Sequence, residues 1–456
     1  MVNSSFQQQF YHIKDFNQNM HNVKILVPIH TMPDVQSVTT IFFENLLPTL
    51  KQRINVDMIW FVYQPDKINF SSNEIQNSTI VDIHDYNNAV QVLQQQKPDL
   101  VFANSDYGFI DYAFSLAAKF LKIPVISVFY TDVSIPRGRS KLIKSYVNRF
   151  FDSTVPTDRN TEPKQKMRRG RFFTYKFSFL LRTQNAIRWN MLKIIKNVLM
   201  IISKIFQSEH DFQHDKRFAN NLHLLYGSSI VDPLVKAGYE RSTLVVTGNP
   251  MFDPLYGKIK SLQVKNKEDP KIRVLLLTTS LYEHGFWTKE QRDVIITDVV
   301  SKISSCKKDM SLTMKIHPSS ENLSEYRELV KNVDSTVPIY QTGDILNFIN
   351  ESDVIVSFQS SSTLIYSLLL NKPVISCDFF GLGNDVLVEK GFAVNCKSSS
   401  DLIDLIKQVY ANNPIQKGKL DEFISEFLCA FDGKCAERVS NAIMQLLYCN
   451  KPNQEI

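Results

Sequence analysis

The sequence predicts an α/β protein built from two doubly wound domains that face each other across a central cleft. Three observations carry this: the chain length, a twice-repeated alternation of short strand-like runs with helix-period segments, and a charged break between the two series. At 456 residues the chain exceeds one ordinary core and suits two domains of about 150 to 200 residues each. With 43% hydrophobic and 21% charged residues, both domains have enough apolar surface to bury a core, and the disordered class is excluded.

Residues 1–22 form a polar tail rich in Gln and Asn, without the apolar stretch of a secretory signal, so the chain is expected in the cytoplasm. Residues 23–28 (VKILVP) are a β-branched run closed by proline, the expected first strand of a parallel sheet. The loop behind it carries His30, Thr31 and Asp34. Helical spacing of Ile41, Phe42, Leu46 and Leu47 leads to a second buried run at 58–63. Residues 87–96 then read as helix, 99–103 as strand, 112–121 as helix and 124–129 as strand. Alternation of this kind means parallel βαβ units with right-handed crossovers. A strand at 222–226, a helix at 231–237 and a strand at 243–247 complete a first domain over 23–257, and the charged stretch 258–271, which has no apolar period, reads as the linker.

The second domain, 272–420, repeats the pattern. Strands are expected at 274–277, 312–316, 338–340, 354–358 and 373–377. Helices are expected at 289–303, 323–330, 345–350 and 363–370. Residues 421–456 form a helical tail. In open sheets of this class, ligands bind beyond the carboxyl ends of the strands.

The net charge of +6 is unevenly spread. Residues 137–218 hold 19 Lys and Arg against 6 Asp and Glu, a local +13 that leaves the remainder near −7. This insert in the first domain meets an anionic surface. Arg168, Arg169 and Arg171 lead into Phe172, Phe173, Tyr175, Phe177 and Phe179. Residues 190–207 then place apolar side chains over half a helix circumference, with Lys193, Lys196 and Lys204 on the other half. Such a helix suits an anionic membrane surface, and packing of its apolar face on the first domain is the alternative. Lysines interleaved with a wide apolar stripe, and no recognised reading module, argue against nucleic acid. No uninterrupted apolar run reaches the ~18 residues that a bilayer span needs.

The six cysteines lie in the last third, without C-x-x-C spacing, and are expected to be reduced and mostly buried. Only 14 glycines are present, and neither a G-x-G-x-x-G nor a G-x-x-x-x-G-K-[ST] string occurs, which excludes the glycine-rich phosphate loops.

Three strand ends of the second domain deliver polar groups to one rim. These are Thr278, Thr279 and Ser280 after the strand at 274–277, then Lys315, His317 and Pro318, then Ser360, Ser361, Ser362 and Thr363 after the strand at 354–358. The serine run opens a helix, so its hydroxyls and N–H groups suit an anion, His317 can donate to a phosphate oxygen, and Lys315 can add charge. Together they fit a diphosphate or phosphodiester leaving group. No metal and no cofactor is expected.

The strings KIHPSSEN and GDILNFINESDVIVSFQSSSTLIYSLLLNKPVISCDF resemble the nucleotide-binding half of GT-B glycosyltransferases of surface-polysaccharide and lipid-linked glycan assembly, such as the bacterial sialyl, Kdo and CDP-glycerol-type transferases. VTGNPMFDPL and FDGKCAERVSNAI are similar to that group's domain-closing and tail segments, so the resemblance covers residues 222–447. It implies a GT-B fold and transfer of a sugar or similar unit from a nucleotide-activated donor to a lipid-linked or glycan acceptor at the cytosolic membrane face. His317 would contact the donor phosphate, Ser361, Ser362 and Thr363 would bind phosphate, and Asp344 and Ile345 would lie beside the nucleobase. Tyr366 and Ser367 stand where many members have an acidic residue and alanine that hold the ribose or sugar. The catalytic base would come from the acceptor-side first domain, with His30, Asp34, Asp106 and Asp132 as candidates. Two alternatives belong to other classes: a non-hydrolysing UDP-N-acetylglucosamine 2-epimerase-like isomerase, faintly echoed by TTSLYEHG, and a non-catalytic sugar-binding relative.

Overall fold

The computed structural model of the protein describes residues 22–29, 38–62, 78–104, 108–129, 166–206, 216–262, 270–318, 320–359, 361–383, 385–413 and 417–449. Its first sheet joins β1 (Asn22–Ile29), β2 (Asn55–Val62), β3 (Thr79–Asp82), β4 (Leu100–Phe102), β5 (Val125–Phe129), β6 (Leu222–Leu225) and β7 (Leu244–Val246), all parallel, in the order β3-β2-β1-β4-β5-β6-β7. Around it lie α1 (Val38–Leu50), α2 (Ala89–Gln96), α3 (Phe109–Leu121), α4 (Lys166–Ala186), α5 (Met191–Phe206) and α6 (Val231–Lys236). The second sheet joins β8 (Ile272–Leu277), β9 (Met310–Lys315), β10 (Ile339–Tyr340), β11 (Val354–Phe358), β12 (Val374–Cys377) and β13 (Val394–Cys396), again all parallel, in the order β10-β9-β8-β11-β12-β13. The remaining helices are α7 (Asp253–Ser261), α8 (Lys289–Ser305), α9 (Leu323–Lys331), α10 (Ile345–Glu351), α11 (Thr363–Leu369), α12 (Val386–Glu389), α13 (Leu402–Ala411), α14 (Lys417–Phe427) and α15 (Cys435–Cys449).

Each sheet runs outward through three strands, returns to the centre and continues the other way. The order therefore reverses once per sheet, between β1 and β4 and between β8 and β11, and a crevice opens at such a reversal. Central strands are buried on both faces, as all-parallel sheets require: β5 and β11 have no exposed residue.

The expected alternation is present, with differences at its margins. β3 and β13 were not expected; both are edge strands of three or four residues, too short to show a period. The stretch read as a linker begins as helix, because α7 continues to Ser261 on the strength of Pro254 in its first turn and Asp253 at its start. The tail is two helices. α14 packs Phe423 and Phe427 into the second domain's core, whereas α15 returns to the first and buries Val439, Ala442 and Ile443 beside Phe42, Phe43 and Leu47 of α1. The Asp253 carboxylate accepts from Cys435 N (2.8 Å) and Ala436 N (2.7 Å), satisfying the first free amides of α15. At the other crossing, Gly227 lies so close to α14 that a Cβ would sit 2.0 Å from the Glu426 carbonyl oxygen.

In the basic insert, the aromatic run is helix α4, and part of it is core. Phe179 is fully buried, with its ring 5.7 Å from that of Phe61 and 6.1 Å from that of Phe114. α5 docks through Ile201, which is buried, and through Asn197, which donates to the Tyr112 hydroxyl (2.8 Å) and accepts from Gln184 (2.6 Å). Met191, Leu192, Ile195 and Leu199 are exposed, Met191 and Leu192 to about 70%. One side of its apolar face is thus packed on the first domain, as the packing alternative expects, and the adjoining side is open. Among the described residues no helix is long and apolar enough to cross a membrane.

Candidate functional site

The register of the second sheet builds the site. Leu277 of β8 pairs with Lys315 of β9 on one side and Ser357 of β11 on the other, so Thr278, Ile316 and Phe358 follow at one level. The loops they open belong to three adjacent strands around the reversal point. With strands about 4.8 Å apart, β9 and β11 lie about 10 Å from each other, and one ligand can reach both ends. His317 and the Ser361–Thr363 segment are brought together in this sense.

His317 is half-buried at the end of β9, with Pro318 exposed behind it. Its Nδ1 lies 2.8 Å from Ser320 Oγ, which lies 2.6 Å from Ser280 Oγ. The ring orientation is therefore set by a hydroxyl pair spanning the β8 and β9 loops. Thr279 donates its hydroxyl to the Phe358 carbonyl, locking the β8 loop to β11. Thr279 and Ser280 consequently hold the rim in shape, and Ser280 is completely buried.

The start of α11 is more open. Ser362 is exposed and makes no capping hydrogen bond, while Ser361 Oγ accepts from Thr363 N (3.3 Å). Ser280 (φ 54°) and Gln359 (φ 67°) both adopt left-handed backbone conformations without being glycine, one at each strand end beside the reversal point. Such conformations cost of order 1 kcal/mol or more and concentrate at functional sites. Among the described residues, nothing pairs with the amide atoms of buried Gln359.

The other expected residues sit differently. Lys315 is buried, its ammonium donating to the Gln341 carbonyl (2.9 Å) beside the Phe348 ring, and burial lowers its pKa. It therefore faces the β10 side and brings no exposed charge to the rim. Asp344 caps α10, accepting from Leu346 N (3.1 Å), and pairs with Lys258 of α7. Ile345 is half-buried in the apolar cluster of that helix. Tyr366 is half-buried against Phe252, and burial raises its pKa. Ser360, His30, Asp34, Asp106 and Asp132 lie outside the described residues; β1 and β4, which precede His30, Asp34 and Asp106 in the chain, flank the reversal point of the first sheet.

Sequence reasoning missed a buried ionisable cluster directly behind this rim. Glu321 is 1% exposed and accepts hydrogen bonds from Thr278 Oγ1, Ser280 N (3.1 Å), His317 N (2.5 Å) and Tyr326 OH (2.9 Å). Burial raises its pKa against these donors. Glu283 is buried 3.9 Å from the guanidinium of Arg292, and burial, reinforced by the Glu321 charge, pushes its pKa up to about 8. Arg292 itself is 2% exposed, paired with Asp293 (2.8 Å) and Glu325 (2.9 Å) and lying over the rings of Tyr282 and Tyr326. The only signal available beforehand was a glutamate four residues after the histidine, in a position that reads as an ordinary helix approach.

Residues 203–445, more than half the chain, match the family model described as CDP-glycerol:poly(glycerophosphate) glycerophosphotransferase. The chain belongs to this family. Its matched span holds every described residue of the rim and the whole second sheet. Among solved structures, the calicheamicin glycosyltransferase CalG4 is similar over 95% of this chain and 100% of its own, at 10% identity and a TM-score of 0.53. The UDP-GlcNAc 2-epimerase from Neisseria meningitidis, bound to UDP-GlcNAc, is similar over 93% of this chain and 100% of its own, at 13% identity and a TM-score of 0.52. The wall teichoic acid polymerase TagF matches over 94% of this chain and 90% of its own, at 12% identity and a TM-score of 0.47. No curated protein sequence matches. The likenesses to CalG4 and to the Neisseria meningitidis epimerase agree with the GT-B fold, and the family with a transferase.

Proposed function

We propose that the protein transfers a sugar or polyol-phosphate unit from a nucleoside-diphosphate donor to a glycan or lipid-linked acceptor, with the donor's phosphates held between His317 and the Ser361–Thr363 segment. The observation that carries this is the meeting of those two strand ends at the reversal point of the second sheet, inside the span that matches the family. The family's description makes a cytidine diphosphate polyol the first donor to test. For such a donor, the acceptor oxygen forms a bond to the outer phosphorus while the bridge to the inner phosphate breaks, and the nucleoside monophosphate leaves. His317 and the serine hydroxyls donate hydrogen bonds to the phosphate oxygens as negative charge moves onto the leaving group. The acceptor's proton passes to a base contributed by the first domain, for which His30, Asp34 and Asp106 are the candidates. No cofactor is proposed beyond the activated donor itself, and nucleic acid is not among the proposed partners.

A thermal-shift series with CMP, CDP, UDP and GDP tests the donor site, since a ligand that binds the native state raises the melting temperature. CMP and CDP are expected to shift it most. Transfer from CDP-glycerol to a lipid extract is the activity assay. Absence of any nucleotide response would sink the reading, nucleotide binding without transfer would favour a non-catalytic relative, and epimer formed from UDP-N-acetylglucosamine without acceptor would favour the isomerase.

The acceptor side is proposed to work at the cytoplasmic membrane face. The support is the open stripe Met191, Leu192, Ile195 and Leu199 on α5, flanked by Lys193 and Lys196, within the insert of local charge +13. Apolar insertion plus attraction to anionic headgroups is how an interfacial helix binds.

A further inference from the structure

We propose that Glu321 is the positioning residue that assembles the phosphate-binding rim, fixing the His317 backbone and the β8 loop in one register through its two carboxylate oxygens. The inference deepens the donor-site reading above and rests on it for its ligand. The division of labour between the oxygens is specific. Oε2 receives the Thr278 hydroxyl and the His317 backbone N–H; Oε1 receives the Ser280 backbone N–H and the Tyr326 hydroxyl. One carboxylate therefore joins the end of β8, the end of β9 and the first turn of α9. Gln341 reinforces the same corner from beyond β10, its amide donating to the Glu321 carbonyl (2.5 Å).

An ionised carboxylate meets all four donors at once. It offers acceptors on both oxygens and no donor, whereas the carboxamide of glutamine presents an acceptor on one side and an NH2 on the other. The hydroxyls of Thr278 and Tyr326 can rotate to accept from such an NH2. The N–H groups of Ser280 and His317 cannot. They sit on opposite oxygens, so one orientation of a glutamine turns its NH2 on the Ser280 N–H, and the other turns it on the His317 N–H, which is then left with only the Thr278 hydroxyl at 3.2 Å. Because Ser280 also lies in the hydroxyl chain Ser280–Ser320–His317, a shift at either N–H turns the imidazole away from its ligand-ready direction. The left-handed conformation of Ser280 (φ 54°) is held by the same carboxylate, which ties backbone strain at the rim to a named partner.

The test compares Glu321→Gln with Tyr326→Phe. The latter removes one donor from the same carboxylate and leaves both backbone N–H groups paired. Ring-nitrogen NMR of labelled histidine, with His317 assigned through His317→Ala, reads the imidazole directly and needs no ligand. Glu321→Gln is expected to change the His317 tautomer signals and weaken CDP binding about tenfold to a hundredfold, whereas Tyr326→Phe does neither. In the His317→Ala background, Glu321→Gln is expected to add little further loss, because the two act through one contact. Should Glu321→Gln fail to fold, Thr278→Val, which removes one donor from Oε2 and the second acceptor of the His317 N–H, is expected to move the His317 signals in the same direction by less. Unchanged His317 signals in Glu321→Gln or Thr278→Val overturn the proposal. So do equal losses of CDP binding in the Gln and Phe variants, or fully additive losses in the double variant. If wild-type protein binds no nucleotide, the donor-site reading falls, and the histidine signals alone decide the role of Glu321.

Discussion

At the residue scale, burial of Glu283 gives the protein a pH dependence of defined sign. Its pKa stands near 8 in the fold against the usual 4.5, so between those values the folded state holds a proton that the unfolded chain releases. Stability then falls as pH rises through this window and levels off above about 8. Glu283→Gln removes the titrating group while keeping the shape. The variant is expected to gain stability relative to wild type on going from pH 5 to pH 8, read as the difference in urea midpoint at the two values. A difference that stays constant with pH would contradict the assignment. The places of His317 after a strand and of Ser361 and Ser362 before a helix were legible in the sequence, because strand ends and helix starts have signatures in residue type and spacing. Glu321 was not, since nothing local distinguishes a glutamate that caps a helix approach from one enclosed on all sides. Lys315 misled for a related reason. In β9 it continues the side of exposed Ser311 and half-buried Thr313, so alternation favours an open ammonium, whereas the Gln341 carbonyl and the Phe348 ring cover it at the strand's end.

At the level of elements, α5 shows what a period can and cannot tell. The 3.6-residue pattern located the helix to within one residue at each end, and its apolar half was plain. Which part of that half is packed depends on α3 and α4, distant in the pattern, through Tyr112 and Gln184. The exposed part spans about 100° of the circumference, adjacent to the lysines. Leu192→Glu with Leu199→Glu is expected to abolish sedimentation with anionic vesicles at low salt and to leave the melting temperature within about 2 °C of wild type, because exposed substitutions cost little. Retained sedimentation would remove α5 as the contact. α15 makes a second case. Its periodic run was visible, but the break before it and its dependence on Asp253, 182 residues earlier, were not. Asp253→Ala is expected to cost about 1 kcal/mol, measured by urea unfolding; no loss would mean that solvent caps the helix as well.

For the whole molecule, the two-domain plan followed from length and the repeated alternation, while the domain limits were blurred by a chain that crosses between the halves twice. The return of α15 is the larger surprise, because it makes the last helix part of the first core. Ile443→Ala is expected to cost about 2 to 5 kcal/mol and to raise amide hydrogen exchange in β1 and β2 while leaving β8 and β11 protected. Uniform loss of protection in both sheets would show instead that the halves unfold as one.

That return also sets the order in which the halves can form during synthesis. The second sheet is encoded by one continuous stretch, from Ile272 to Cys396, and can close as soon as that stretch leaves the ribosome. The first sheet has its last strand, β7, by Val246, yet the helix that seals one of its faces ends at Cys449. At about 5 to 20 residues per second, the nascent first half must wait roughly 10 to 40 s before Val439, Ala442 and Ile443 can join its core. The half translated first is therefore the half completed last.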